Sequence, residues 1–221
     1  MKACSNIRAV VFDLDGTLLD TVPDLGESAN AALRRFGMPA MPARDYQPRI
    51  GHGIRSLMLQ SVPEGTPEAL FEQVLAFYLA YYPEHCTEHT QMYPGVAELL
   101  EKLQGAGYAL AVLSNKTERT AQRIISHFFP QTPFRFVWGN NGVRPLKPAL
   151  DAGSGLCAAL SLRPEEILYL GDGDSDMEFA SKIGFFAAGA AWGYRSREAL
   201  AENGADAVLE QASDLEVLLR L

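Results

Sequence analysis

Between Tyr108 and Ala188 the chain alternates short apolar runs with longer stretches of helical periodicity, a rhythm that leaves few folds open. Apolar runs predict strands over 108–113, 136–138, 167–170 and 185–188, and a 3.6-residue period predicts helices over 118–129, 148–160 and 176–183 between them. Strands separated by helices run parallel, with helices on both faces of the sheet. The expected fold is therefore α/β, a doubly wound, Rossmann-like parallel sheet. Such sheets bind ligands beyond the carboxyl ends of their strands, at the point where the strand order reverses.

An earlier apolar run, Val10-Val11-Phe12, adds a strand and stops at Asp13-Leu14-Asp15-Gly16-Thr17. Residues two apart in an extended chain point the same way and lie about 6 to 7 Å apart, so Asp13 and Asp15 can flank one substrate. One carboxylate can bind a metal or attack an electrophile while its neighbour, when protonated, serves as an acid. The structural alternative is an Asp-rich turn that closes a strand. Residues 22–85 then read as a helical insertion, with periodic segments from Val22 to Phe36 and from Pro67 to Tyr82. Between them lies a glycine-flanked basic loop, Arg49-Ile50-Gly51-His52-Gly53-Ile54-Arg55. The expected organisation is a core of 1–21 and 86–221 carrying a small helical domain of 22–85.

Each later strand end is also polar. Ser114-Asn115 suits a phosphate oxygen, or equally caps the next helix. Lys147 stands before Pro148 as a point charge for an anion, with Lys116 as the competing lysine. Gly171-Asp172-Gly173-Asp174-Ser175-Asp176 releases three acids from a buried strand, and a hard cation with oxygen ligands offsets their repulsion. A calcium loop is excluded, because Met177 and Ile183 occupy its required glycine and glutamate positions.

The formal charge of -8 argues against nucleic acid as a partner, so an anionic substrate must meet a local cation. No run reaches the roughly 18 apolar residues of a membrane span, and the first residues carry no apolar leader. Cys4, Cys86 and Cys157 show no metal or redox spacing, which fits unpaired thiols in the cytoplasm.

In order along the chain, Asp13-Leu14-Asp15-Gly16-Thr17, Ser114-Asn115, Lys147-Pro148 and Gly171-Asp172 to Asp176 resemble the four motifs of the haloacid dehalogenase-like hydrolases. The resemblance spans nearly the whole chain, and residues 22–85 resemble the family's small mobile cap. It implies a phosphatase in which Asp13 attacks phosphorus to form an aspartyl-phosphate and Asp15 is the acid and base. Lys147 would neutralise charge, and Thr17, Ser114 and Asn115 would contact phosphate. Mg²⁺ would sit on the carboxylates of Asp13 and Asp172 and the backbone carbonyl of Asp15, with Asp176 holding metal-bound water. The 49–55 loop resembles the substrate loop of phosphoglycolate phosphatases, which implies that Arg49, His52 and Arg55 bind a small carboxylate. The expected substrate is thus a small phosphorylated metabolite, 2-phosphoglycolate first, acted on by a monomer or homodimer. A β-phosphoglucomutase-like sugar-phosphate mutase, a pyrophosphatase, and a regulatory binding protein with a vestigial site are the alternatives. Ala149, where the lysine motif usually has a second proline, and the 139–146 segment depart from the family pattern.

Overall fold

The computed structural model describes Cys4 and residues 6–221; the reading of a leaderless start falls partly on residues 1–3 and 5, outside the described residues. The strands are β1 (Ala9–Phe12), β2 (Leu19–Asp20), β3 (Gln91–Met92), β4 (Ala109–Thr117), β5 (Val137–Asn140), β6 (Ile167–Gly171), β7 (Phe186–Ala190) and β8 (Ala207–Leu209). The helices are α1 (Val22–Arg35), α2 (Ile54–Leu59), α3 (Glu68–His85), α4 (Val96–Gly105), α5 (Glu118–Phe128), α6 (Asp151–Leu160), α7 (Asp174–Ile183), α8 (Arg197–Glu202) and α9 (Ser213–Leu219), with 3-10 turns at Ala43–Arg49 and Pro164–Glu166.

Six strands pair in parallel in the order β5-β4-β1-β6-β7-β8, while β2 and β3 form a separate antiparallel ladder. The chain builds outward from β1 to β4 and β5, then returns to the other side of β1 for β6. The order therefore reverses around β1, which puts the ligand crevice at its carboxyl end.

Period-two alternation divides the core. Val10, Phe12, Leu110, Val112, Leu168 and Leu170 face one side, with Leu99 of α4 and Ile124 of α5 in the same buried cluster, which runs on into the insertion through Leu33 of α1 and Val74 of α3. Ala9, Val11, Ala111, Leu113, Ile167 and Tyr169 face the other, under Leu156 of α6, Phe179 of α7 and Leu200 of α8. Each such large side chain contributes about 1.5–3 kcal/mol by leaving water. Among the described residues no helix is long and apolar enough to cross a membrane.

The insertion is held by buried polar bonds as well as by this core. The Asn30 side chain donates to the Met41 carbonyl at 2.8 Å and accepts from Met41 N and Tyr46 Oη at 3.0 and 2.7 Å. At its return to the sheet, the buried Asp24 carboxylate accepts the backbone N–H groups of His89 and Thr90, each at 2.8 Å.

Several boundaries differ from the sequence expectation. The strand expected over 108–113 runs on to Thr117, because its pairing with β5 resumes beyond a register shift between Leu113 and Thr117. Ser114 and Asn115 are therefore strand residues, and Thr117 occupies the N-cap of α5. Helix α6 starts at Asp151 rather than 148, after a segment in which the Asn141 side chain accepts the Val143 and Arg144 N–H groups at 3.0 and 2.8 Å. Such Asn-centred turns compete with helix. The short β2–β3 ladder, β8, α8 and α9 lie outside what the periodicity predicted; two- and three-residue strands carry too few side chains to show a period.

Candidate active site

Register brings three strand ends together. Phe12 is level with Val112 of β4 and Leu170 of β6, so Asp13 leaves its strand one residue before Ser114 and Asp172 on the flanking strands. The Asp13 N–H is fixed by the Leu170 carbonyl at 2.8 Å. Gly16 turns the chain at φ 82°, and a Cβ there would collide with the Asp172 carboxylate.

Lys147 is the hub of the acidic cluster. Its Nζ lies 3.0 Å from Asp13 Oδ1 and 2.6 Å from Asp176 Oδ1, and it donates to Tyr169 Oη at 2.7 Å. Burial alone would discharge this ammonium, but Asp13 and Asp176 outweigh it and raise its pKa. Lys116 serves a different acid: its Nζ sits 2.8 Å from Asp15 Oδ1 and donates to Tyr82 Oη of α3 at 2.9 Å. Thr21 Oγ1 donates to the same Asp15 oxygen at 2.5 Å. The two lysines are thus separated in space, with Lys147 on Asp13 and Lys116 on Asp15.

Asp13, Asp172 and Asp176 are all buried, and their oxygens lie within 4.8 Å of one another. Burial, with Asp176 and Asp15 nearby, pushes Asp13 up to about 7 against the opposing pull of Lys147. Burial, then Asp176 and Asp13, drives Asp172 well above the ordinary carboxylate range despite bonds from Tyr194 N at 2.8 Å and Thr17 Oγ1 at 2.9 Å. Asp13 Oδ1 is buried with only the Lys147 ion pair and no hydrogen bond. Oxygen-only donors that one lysine leaves under-compensated fit a small hard divalent cation.

Other expected site residues have different employment. Thr17 is fully buried and spends its hydroxyl on Asp172. The Asn115 side chain donates to the Lys147 carbonyl at 3.0 Å and accepts from Lys147 N at 2.8 Å, so it fixes the lysine's backbone. It also donates to the Gly51 carbonyl of the 49–55 loop at 2.7 Å. Ser114 Oγ accepts from Lys116 N at 3.3 Å and borders the cleft.

The loop cations depart most from expectation. Arg49 donates to the Asp45 carbonyl at 2.8 Å and lies against Met41 and the Tyr46 ring. Arg55 pairs with Glu72 at 2.5 Å and covers the Phe71 ring. His52 Nε2 is 3.8 Å from Asp174 Oδ2. None of the three lines the cleft, and Arg49 and Arg55 are held by partners nearer at hand. The cleft wall is instead Ile50, Ile54, Leu57, Tyr78 and Leu79, with Lys116 and Arg195 as its cations. Arg195 and Tyr82 were missed from sequence; neither belongs to a motif, and only the fold brings them here.

A family model described as haloacid dehalogenase-like hydrolase matches residues 10–190. The phosphoglycolate phosphatase of Chromobacterium violaceum is 32% identical over 219 residues, covering 97% of each chain. That of Mannheimia succiniciproducens is 32% identical over 221 residues, 96% of this chain and 97% of the relative. The crystal structure of a predicted phosphoglycolate phosphatase from Haemophilus somnus 129pt has a TM-score of 0.89 at 28% identity, covering 96% of this chain and 98% of that one.

Proposed function

The chain belongs to the haloacid dehalogenase-like hydrolases and is a phosphatase, and from that premise we propose that it hydrolyses 2-phosphoglycolate through an aspartyl-phosphate on Asp13. The observation that carries the reading is the Asp13–Lys147 pair at 3.0 Å, buried at the carboxyl end of the central strand beside Asp172 and Asp176. A lysine so placed keeps a buried carboxylate available as a nucleophile when burial alone favours its protonated form. The substrate is that of the relatives, which are phosphoglycolate phosphatases.

In this reading Asp13 attacks phosphorus and the ester oxygen leaves with a proton from Asp15. Thr21 and Lys116 fix one oxygen of Asp15, and among the described residues the other accepts no hydrogen bond, which leaves it for the reacting oxygen. Asp15 then takes a proton from the water that opens the acyl-phosphate. Lys147 balances charge at Asp13 throughout, and Asn115 holds Lys147 in position. The family generally uses a divalent metal; Asp13, Asp172 and Asp176, with the Asp15 carbonyl, would hold Mg²⁺, which supplies neutralisation of the phosphoryl oxygens. Residues 22–85 act as a cap that keeps bulk water from the acyl-phosphate.

The test is phosphate release from a panel of 2-phosphoglycolate, pyrophosphate, hexose phosphates and an aryl phosphate, with and without Mg²⁺. The reading expects metal-dependent release with 2-phosphoglycolate preferred. Preference for another member overturns the substrate, and transfer to a second sugar hydroxyl without free phosphate makes the protein a mutase.

A further inference from the structure

We propose that Arg195 binds the end of the substrate remote from the transferred phosphoryl group, as a carboxylate receptor supplied by the core rather than by the 49–55 loop. This rests on the phosphoglycolate reading and assigns it a specificity residue. Among the described residues the cleft has two lining cations, and they are not equally free. Lys116 is spent on Asp15 and Tyr82, at 2.8 and 2.9 Å. Arg195 is looser: its Nη2 donates to the Ile50 carbonyl at 3.2 Å, and its Nε stands 3.5 Å from Asp174 Oδ1, an oxygen that accepts no hydrogen bond. The Nη1 donors have no protein partner among the described residues. A guanidinium with donors to spare presents a planar fork that matches a carboxylate, which a lysine cannot do.

Its position suits the task. The preceding residue, Tyr194, donates its backbone N–H to Asp172 at 2.8 Å, so the base of Arg195 is anchored at the phosphoryl end of the cleft. The rest of the wall near the loop is apolar, formed by Ile50, Ile54 and Leu57. A guanidinium with free Nη1 donors offers a short acid a charge-assisted pair that a short alkyl chain, which meets only the apolar wall, cannot make. On binding, the guanidinium exchanges its long contact with Asp174 for the substrate carboxylate while keeping the Ile50 carbonyl.

The test compares kcat/KM for 2-phosphoglycolate and for ethyl phosphate, which replaces the carboxylate by a methyl group, in the wild type, Arg195→Gln and Arg195→Lys. Glutamine keeps a polar side chain but carries no charge. The ratio of the two kcat/KM values falls about 10- to 100-fold in Arg195→Gln, chiefly through KM, and recovers in part in Arg195→Lys. Equal losses on both esters, the result expected of a mere tether for the loop, overturn the proposal. Asp174→Asn tests it without touching Arg195: removing the competing carboxylate raises the ratio about threefold, and an unchanged ratio counts against the proposal. A wild-type enzyme with no preference for 2-phosphoglycolate over ethyl phosphate overturns the substrate reading instead.

Discussion

Asn115 and Lys147 are locked together through the backbone: one side-chain amide both accepts the lysine's N–H at 2.8 Å and donates to its carbonyl at 3.0 Å. A flexible side chain thereby gains a fixed root, and its ammonium meets Asp13 and Asp176 without searching for them. Asn115→Asp keeps the acceptor but loses the donor and adds a charge to an acidic site. It is expected to lower kcat by about 10- to 100-fold while the protein stays folded, a loss read by steady-state kinetics beside a melting curve.

Lys147→Met removes the cation between two buried carboxylates. Breaking a buried pair from one side costs about 3–5 kcal/mol, so metal-free Lys147→Met should melt well below the wild type, and the Mg²⁺-loaded variant should show no turnover. Lys116→Met, which leaves Asp13 paired, should retain measurable turnover of an aryl phosphate, whose leaving group needs little help from Asp15. Equal effects of the two substitutions would contradict the division of labour between the lysines.

The acidic cluster makes stability depend on pH in a defined direction. Asp13 is raised to about 7 and Asp172 is raised well above the ordinary range, both first by burial. Between the unfolded carboxyl pKa of about 3.9 and the folded value, the folded state holds more protons than the unfolded state. Unfolding free energy in the absence of metal therefore falls as pH rises from about 4 through 7, and denaturant titrations at several pH values should show it. Added Mg²⁺ should flatten the fall; a metal-free protein that gains stability over this range would refute the account of the cluster.

Gly16 is a backbone position closed to any side chain. Its φ of 82° is a left-handed value, and a Cβ would strike the Asp172 carboxylate. Gly16→Ala combines about 1–2 kcal/mol of backbone strain with displacement of Asp172. Its activity should therefore fall further than its melting temperature alone would explain.

The parts of the site legible in the sequence were those encoded locally. Asp13, Asp15, Asp172 and Asp176 each follow an apolar strand closely, so strand position alone places them at one end of the sheet. Arg49, His52 and Arg55 were legible as a basic loop but not as contacts. The Asp45 carbonyl captures Arg49 and the Glu72 carboxylate captures Arg55, and nothing in a basic loop's composition reveals partners outside it. Arg195 reaches the loop across 145 positions of sequence, and Lys116 reaches Tyr82 across 34, so both contacts exist only once the sheet and α3 are assembled. The extension of β4 to Thr117 belongs with them, since its pairing partner, Asn140, comes from a different strand.

The central claim is that Asp13 becomes phosphorylated during turnover. The direct measurement is a rapid acid quench of the Mg²⁺-loaded enzyme with 2-phosphoglycolate labelled in its phosphoryl group, followed by peptide mapping. The account predicts acid-stable, hydroxylamine-labile label on the peptide containing Asp13, formed and lost at rates compatible with kcat, and absent from Asp13→Asn. Phosphate release at the full rate by Asp13→Asn, or label on another residue, would contradict it.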